Sequence, residues 1–277
     1  MIDQYSTTKI LDHGYMKLIE TWGSDERIVE AARMSTGRGF VSWDSYQRCR
    51  RCDEVKDAHD GWAPNSCLSA QGAPHDWADF PRGDLGLLSY LMNNRHETPF
   101  EMAGMIIEVQ APIMVFREWH RHRTQWYNEM SARYAPLPAV DYMPTVERCL
   151  MVNGSNKQAG AVAGSDVLTH ESALEWLEEL AGAYEHSERV YQSGLRRGIP
   201  KELARLPVTV GRYSRMRAGT NLRNWLAFLT LRSDSVLSGA AAQWEIRQFA
   251  NEVAALVKNH FPRTYDLFVE RSLKQGK

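Results

Sequence analysis

Residues 117–134 read REWHRHRTQWYNEMSARY. Arg117, His120, Arg121, His122 and Arg123 place five cationic or potentially cationic side chains within seven positions. The preceding segment, MIIEVQAP (105–112), reads as a strand stopped by Pro112, and IMVFREWHRHR (113–123) as a helix entered through that proline. At 100° per residue, positions 121, 122 and 123 fan across most of a helix circumference, so no single solvated face takes them all. Some must point inward or across an interface, where a charge needs a partner. An anion with several oxygens, such as a phosphate or pyrophosphate, is such a partner, and the planar fork of arginine binds it bidentately. The same residues also admit a solvated basic surface, with Glu129 and Arg133 as an i, i+4 helical pair.

Working outward, SDERIVEAARM (24–34) reads as a helix with Ser24 as N-cap and Asp25 and Glu26 in its first turn. Residues 36–82 change character. They are rich in Gly, Asp, Ser, Arg and Trp and show neither a helical nor a strand period, so they read as a long irregular insertion. Cys49 and Cys52 form a C-x2-C there, and Cys67, His59 and His75 can complete a zinc set. The spacing is loose and no second C-x2-C follows, so the reading is free thiols in a surface insertion and no metal.

A short helix is expected from Leu85 to near Asn94, a loop over 136–165, and an amphipathic helix over 168–194 with Leu174, Leu177, Leu180 and Tyr184 on one face. A short helix at 201–206, a strand at 208–216 and helices near 220–232 and 242–259 complete the chain. Strands and helices mix without βαβ alternation or a glycine-rich dinucleotide fingerprint. The fold class is therefore α+β, and the chain reads as one domain over 1–277 carrying the insertion at about 36–82.

Composition narrows the function. The chain is 43% hydrophobic and 24% charged, as soluble globular proteins are, and its net charge of −1 provides no global field for nucleic acid. No run of 18 apolar residues suggests a membrane span. The segment MIDQYSTTKI has neither a basic nor an apolar leader region, so a cytoplasmic location is expected. A second polar cluster, Asn221, Arg223, Asn224 and Arg232 with Arg205 upstream, suits the edge of a flat heterocycle or a polar helix face. A rival reading is an RNA-binding protein with a zinc-knuckle insertion. The near-neutral charge and incomplete ligand set weigh against it.

RHRTQWYNEMSARY (121–134) closely resembles the signature of flavin-dependent thymidylate synthases, RHRxxSxNExSxRY, at eight of nine specified positions. HETPFE (96–101), GIPKELAR (198–205), NLRNWLAFLTLR (221–232) and AQWEIRQFA (242–250) resemble further segments of that family, over about two-thirds of the chain. The resemblance implies a mixed central β-sheet flanked by helices, and a homotetramer whose active sites lie at subunit interfaces. It implies tightly bound FAD, NADPH as reductant, and methylenetetrahydrofolate as carbon donor for reductive methylation at C5 of dUMP, with no enzyme cysteine attacking the ring. By motif position, Thr98, Arg121, His122, Arg123 and Glu129, with Asn221, Leu222 and Arg223, resemble FAD contacts. Glu118, Trp119, His120, Arg121, Glu129, Met130, Ser131, Ala132, Arg133 and Arg205 resemble the nucleotide site, Ser131 and Arg133 being its phosphate cradle. Arg232 resembles the catalytic arginine that polarises the uracil.

Three departures surround the rings. Trp126 replaces the first signature serine, Ala227 stands where a polar flavin contact is expected, and about five residues are added in 233–241, where a family histidine is missing and Gly239 loosens the segment. The phosphate cradle is intact. The pattern resembles a branch that methylates UMP as well as dUMP in polyoxin-type nucleoside antibiotic pathways. A dUMP-specific enzyme and an inactive flavin-binding homologue are the alternatives.

Overall fold

The computed structural model describes residues 7–57, 74–152, 159–162, 165–234 and 242–275. These residues divide into two compact units. One is drawn from Met1–Thr21, Met105–Thr220 and Ala227–Leu256, the other from Trp22–Gly104, Asn221–Leu226 and Val257–Lys277.

The first unit is organised by a five-stranded sheet. Its strands are β1 (Thr7–Ile10), β2 (Gly14–Trp22), β6 (Gly104–Pro112), β7 (Trp126–Glu129) and β8 (Tyr213–Asn221), in the order β1-β2-β6-β8-β7. The β1–β2 and β7–β8 pairings are antiparallel. Strand β6 is the apolar run that sequence marks, and Met105, Ile107, Val109 and Ala111 are fully buried, as a central strand requires. Pro112 then caps helix α3 (Ile113–Trp119). Helix α8 (Trp244–His260) buries Ile246, Phe249, Ala250 and Val253 at i, i+3, i+4 and i+7, and its Glu252 accepts a hydrogen bond from Thr8 (2.7 Å).

In the second unit, Ser24 caps α1 (Asp25–Arg33) by accepting from the Arg27 N–H (3.3 Å). The described part of 36–82 is not wholly irregular. Strands β3 (Tyr46–Cys49), β4 (Val55–Asp57) and β5 (Trp77–Phe80) form an antiparallel sheet in the order β4-β3-β5. They escape a periodicity reading because each is only three or four residues long. This sheet is tied to α1 and to α2 (Gly83–Asn93) by a buried ion pair. The Arg33 guanidinium clasps both carboxylate oxygens of Asp84 and also donates to the Tyr46 hydroxyl (2.7 Å), which in turn donates to Asp84 (2.8 Å).

Several boundaries differ from the sequence reading. Helix α3 ends at Trp119, so 121–123 lie in a turn rather than around a helix. Glu129 closes strand β7, which rules out a helical i, i+4 pair with Arg133. The strand expected at 208–216 begins at Tyr213, because 209–212 form a turn closed by Arg212 N–H to Thr209 O (3.2 Å). The loop at 136–165 contains a short helix, α4 (Val146–Leu150). Helix α5 (His170–Arg196) buries Ala173, Ser187 and Tyr191, whereas Leu174 is exposed. Helices α6 (Lys201–Ala204) and α7 (Leu222–Arg232) fall near their expected places, and α9 (Pro262–Gln275) adds a third closing helix. No helix among the described residues is long and apolar enough to cross a membrane. Cys67, His59, Gly239 and most of the residues added after Arg232 lie outside the described residues.

Asp84→Ala strips the buried Arg33 of its counter-charge. It is expected to lower the unfolding free energy by about 3–5 kcal/mol in urea titration. A loss below about 1 kcal/mol would mean that the pair behaves as a solvated surface bridge.

Candidate active site

The signature turn is built on one buried aromatic residue. Trp119 at the end of α3 is fully buried, stacked on Phe228 of α7 (ring centroids 4.9 Å) and edge-on to Phe249 of α8 (6.3 Å). Its indole N–H donates to buried Gln125 (3.0 Å). The Tyr127 hydroxyl reaches back from β7 toward the carbonyls of His122 (2.8 Å) and Trp119 (3.1 Å), and burial holds its pKa above the ordinary phenol value. Thr220 on β8 donates to Thr124 O (3.0 Å). Residues 119–125 are therefore held from three sides. Sequence reasoning gave Gln125 and Tyr127 no role. They occupy unspecified places in the signature, and only their partners reveal what they do.

Arg232 arrives from α7, one helical turn beyond Phe228 and on the same face. Its Nε donates to His122 Nε2 (3.0 Å) and its Nη1 pairs with Glu118. His122 packs edge-on to Phe228 (4.8 Å). Burial first, and then the neighbouring Arg232 charge, lower its pKa from 6.5 to about 4. The imidazole is thus neutral near pH 7, and because Nε2 accepts, its proton sits on Nδ1. The second Glu118 oxygen is buried with no hydrogen-bond partner among the described residues. Among the described residues, two of the five guanidinium N–H groups are engaged, which leaves three for a ligand.

Beyond the turn, Glu129, Met130 and Ala132 line a cavity of about 270 Å³ together with Arg117 and Arg205. Arg117 belongs to the cationic cluster but carried no site role in the sequence reading. Ser131 opens a turn, accepting from the Arg133 N–H through Oγ (3.3 Å) and from Tyr134 N–H through its carbonyl (2.9 Å). Among the described residues, Arg117, Arg121, Arg123, Arg133 and Arg205 form no ion pair. His120 lies 4.0 Å from Glu129 and touches the Met216 sulfur (3.2 Å). A larger cavity of about 610 Å³ contains no signature residue, and its one arginine, Arg148, is already paired with Glu245 (2.7 Å). The smaller cavity, with its unneutralised arginines, is the better anion site.

The second unit carries the other expected contacts. Asn221 accepts the Asn224 N–H (3.0 Å), capping α7 and leaving its own amide N–H groups available. Arg223 sits between Glu97 (2.6 Å) and Glu101 (2.9 Å). Thr98 is exposed in the 3₁₀ turn Thr98–Met102. Leu222 and Trp119 are fully buried in the core. The Trp126 indole lies half-exposed across Gly219 on the paired strand, where a Cβ would collide with the ring.

Residues 17–263 match the family described as thymidylate synthase complementing protein. The flavin-dependent thymidylate synthase of Thermosipho africanus is 32% identical, with 96% of this chain and 95% of that one covered. Two crystal structures of the UMP/dUMP methylase PolB from Streptomyces cacaoi, bound with 5-Br UMP and 5-Br dUMP, are each 28% identical. They superpose with TM-scores of 0.69 and 0.68, covering 95% of this chain and 96% and 97% of theirs.

His122 is expected to titrate near pH 4, followed by the NMR shift of its ring carbon. Its folded pKa is depressed, so its contribution to stability is present above the unfolded value of 6.5 and is lost as the pH falls toward 4. Arg232→Ala should move the midpoint upward by removing the neighbouring cation. A wild-type midpoint near 6.5 would refute this assignment.

Proposed function

The chain belongs to the family of flavin-dependent thymidylate synthases, and from that membership we propose that it methylates C5 of uracil nucleotides, UMP as well as dUMP. FAD is the bound cofactor of this reading, methylenetetrahydrofolate the carbon donor and NADPH the reductant. The observation that carries the proposal is Arg232, anchored by Glu118 and neutral His122 with three donors to spare. A fixed cation at the uracil edge stabilises negative charge on the ring as C5 becomes nucleophilic, and it need not reorganise to do so.

Arg117, Arg133 and Arg205 suit the nucleotide phosphate, because no carboxylate among the described residues pairs with them, and Ser131 adds a neutral hydroxyl. Exposed Arg121 and Arg123 fit the FAD pyrophosphate in the same way. His122 and Glu129 are further FAD contacts of this reading in the first unit, and Thr98, Asn221, the Leu222 backbone and Arg223 are those carried by the second. When bound, the flavin supplies the reducing electrons. The chain's residues orient and polarise the nucleotide. Cys149, whose thiol burial pushes upward in pKa, is no activated nucleophile. The neighbours' complexes with both bromouridine nucleotides support acceptance of the ribose hydroxyl. A place in nucleoside antibiotic synthesis is part of the same reading.

Tritium release from 5-tritiated UMP and dUMP, with NADPH and methylenetetrahydrofolate, is expected for both nucleotides. Release from dUMP alone would remove UMP from the proposal. Arg232→Ala should lower kcat about 10²–10³-fold while flavin absorbance is retained. We also propose a homotetramer with shared sites, supported by the exposed apolar surfaces of Tyr134 and Leu206. Light scattering is expected to give four chains, and a monomer at working concentration would exclude shared sites.

A further inference from the structure

The three-stranded sheet carries a cluster that the proposed reaction does not use. Cys49 ends β3, Cys52 follows in the tight turn toward β4, and His75 stands two residues before β5. One ligating atom from each lies within 4.8 Å of the other two. Cys52 Sγ is 3.5 Å from His75 Nδ1. Tetrahedral zinc, with Zn–S about 2.3 Å and Zn–N about 2.0–2.1 Å, gives an S–N edge of about 3.6 Å.

The turn is shaped to present both sulfurs to one point. The Arg51 N–H donates to Cys49 Sγ (3.4 Å), and Cys49 N–H and O bond Glu54 O (2.9 Å) and Asp53 N–H (3.1 Å). Asp53 takes a left-handed φ of 60°, the conformation that turns the chain back toward β4 after the second cysteine. The Arg50 N–H donates to Asp76 O (2.8 Å), which draws the His75 segment onto the turn. His75 is 4% exposed and stacks on Trp77 (4.6 Å). Its Nε2 lies 3.3 Å from the Glu54 carboxylate, although neither of those two atoms meets the geometry of a hydrogen bond with the other or with any further described group. A carboxylate behind the remote nitrogen is the arrangement that orients a metal-bound imidazole and leaves Nδ1 as the donor.

We propose that Cys49, Cys52 and His75 bind a structural zinc ion that pins the insertion's sheet. This proposal departs from the expectation of free thiols and no metal, on the convergence of the three side chains. Two thiolates and an imidazole are a donor set that suits zinc better than the oxygen-seeking cations. Binding displaces the two thiol protons to solvent and involves no redox step. Cys49 and the His75 side chain are buried and Cys52 is half-buried, and together they supply three of the four positions of tetrahedral zinc.

The full-length protein, purified without chelator from zinc-supplemented medium, is expected to hold about one zinc per chain by mass spectrometry. X-ray absorption should show sulfur and nitrogen scatterers together in the first shell. Cys52→Ala and His75→Ala should each lose the metal, and Cys149→Ala should keep it. If either of the first two is insoluble, wild-type protein stripped of metal and refilled with cobalt(II) should show thiolate-to-cobalt charge-transfer absorbance. Metal-free protein that takes up neither zinc nor cobalt overturns the proposal, as does Cys52→Ala with its zinc intact.

Discussion

Burial of the Trp119 indole is the constraint from which the site geometry follows. Its ring stacks on Phe228 and meets Phe249 edge-on, and its N–H is satisfied by Gln125. A buried indole of this size, with its one polar atom paired, admits little displacement, and truncating it would cost about 3–5 kcal/mol. Because Phe228 and Arg232 share a face of α7, docking Phe228 on Trp119 also sets Arg232 above His122 and beside Glu118. An apolar contact thus positions a charged group, and the Tyr127 hydroxyl closes the intervening turn.

The electrostatics divide into two kinds of arginine. Arg33, Arg148, Arg212, Arg223 and Arg232 are matched by carboxylates of the same chain. Among the described residues, no carboxylate pairs with the arginines of the signature turn and of the cavity near Glu129. A buried or half-buried guanidinium without a counter-charge is costly, which is why Arg33 and Arg212 carry acidic partners. Exposed guanidinium groups remain hydrated at little cost and exchange that water for phosphate oxygens when an anion arrives. Arg232 is intermediate. Its pairing with Glu118 restrains it without exhausting its donors, and keeping His122 neutral prevents a second cation from repelling it.

The insertion shows how a short segment acquires structure that its length alone would not support. Strands of three or four residues bury little apolar surface, so they hold only where something else ties them. Here Tyr46 and the Arg33–Asp84 pair anchor one end of the sheet, and the cysteine–histidine cluster gathers the other.

Side-chain order alone determined a good deal. The signature spacing, the Ser24 cap, the apolar run of β6 and its proline stop are local features, legible because caps, central strands and recognition motifs depend on near neighbours. The family followed from the signature, and so did the expectation of which residues line the site. The extent of α3, the strand identity of Glu129 and the insertion's sheet did not, because tertiary pairing overrides weak local periodicity. The joining of Arg232 to His122 and Glu118, across 110 and 114 residues, was decided only by the packing of α7 on Trp119. So was the convergence of Cys49 and Cys52 with His75, decided by pairing β5 against β3. Both are long-range contacts whose free energy comes from burial and strand pairing between distant segments, and no period in the chain encodes it.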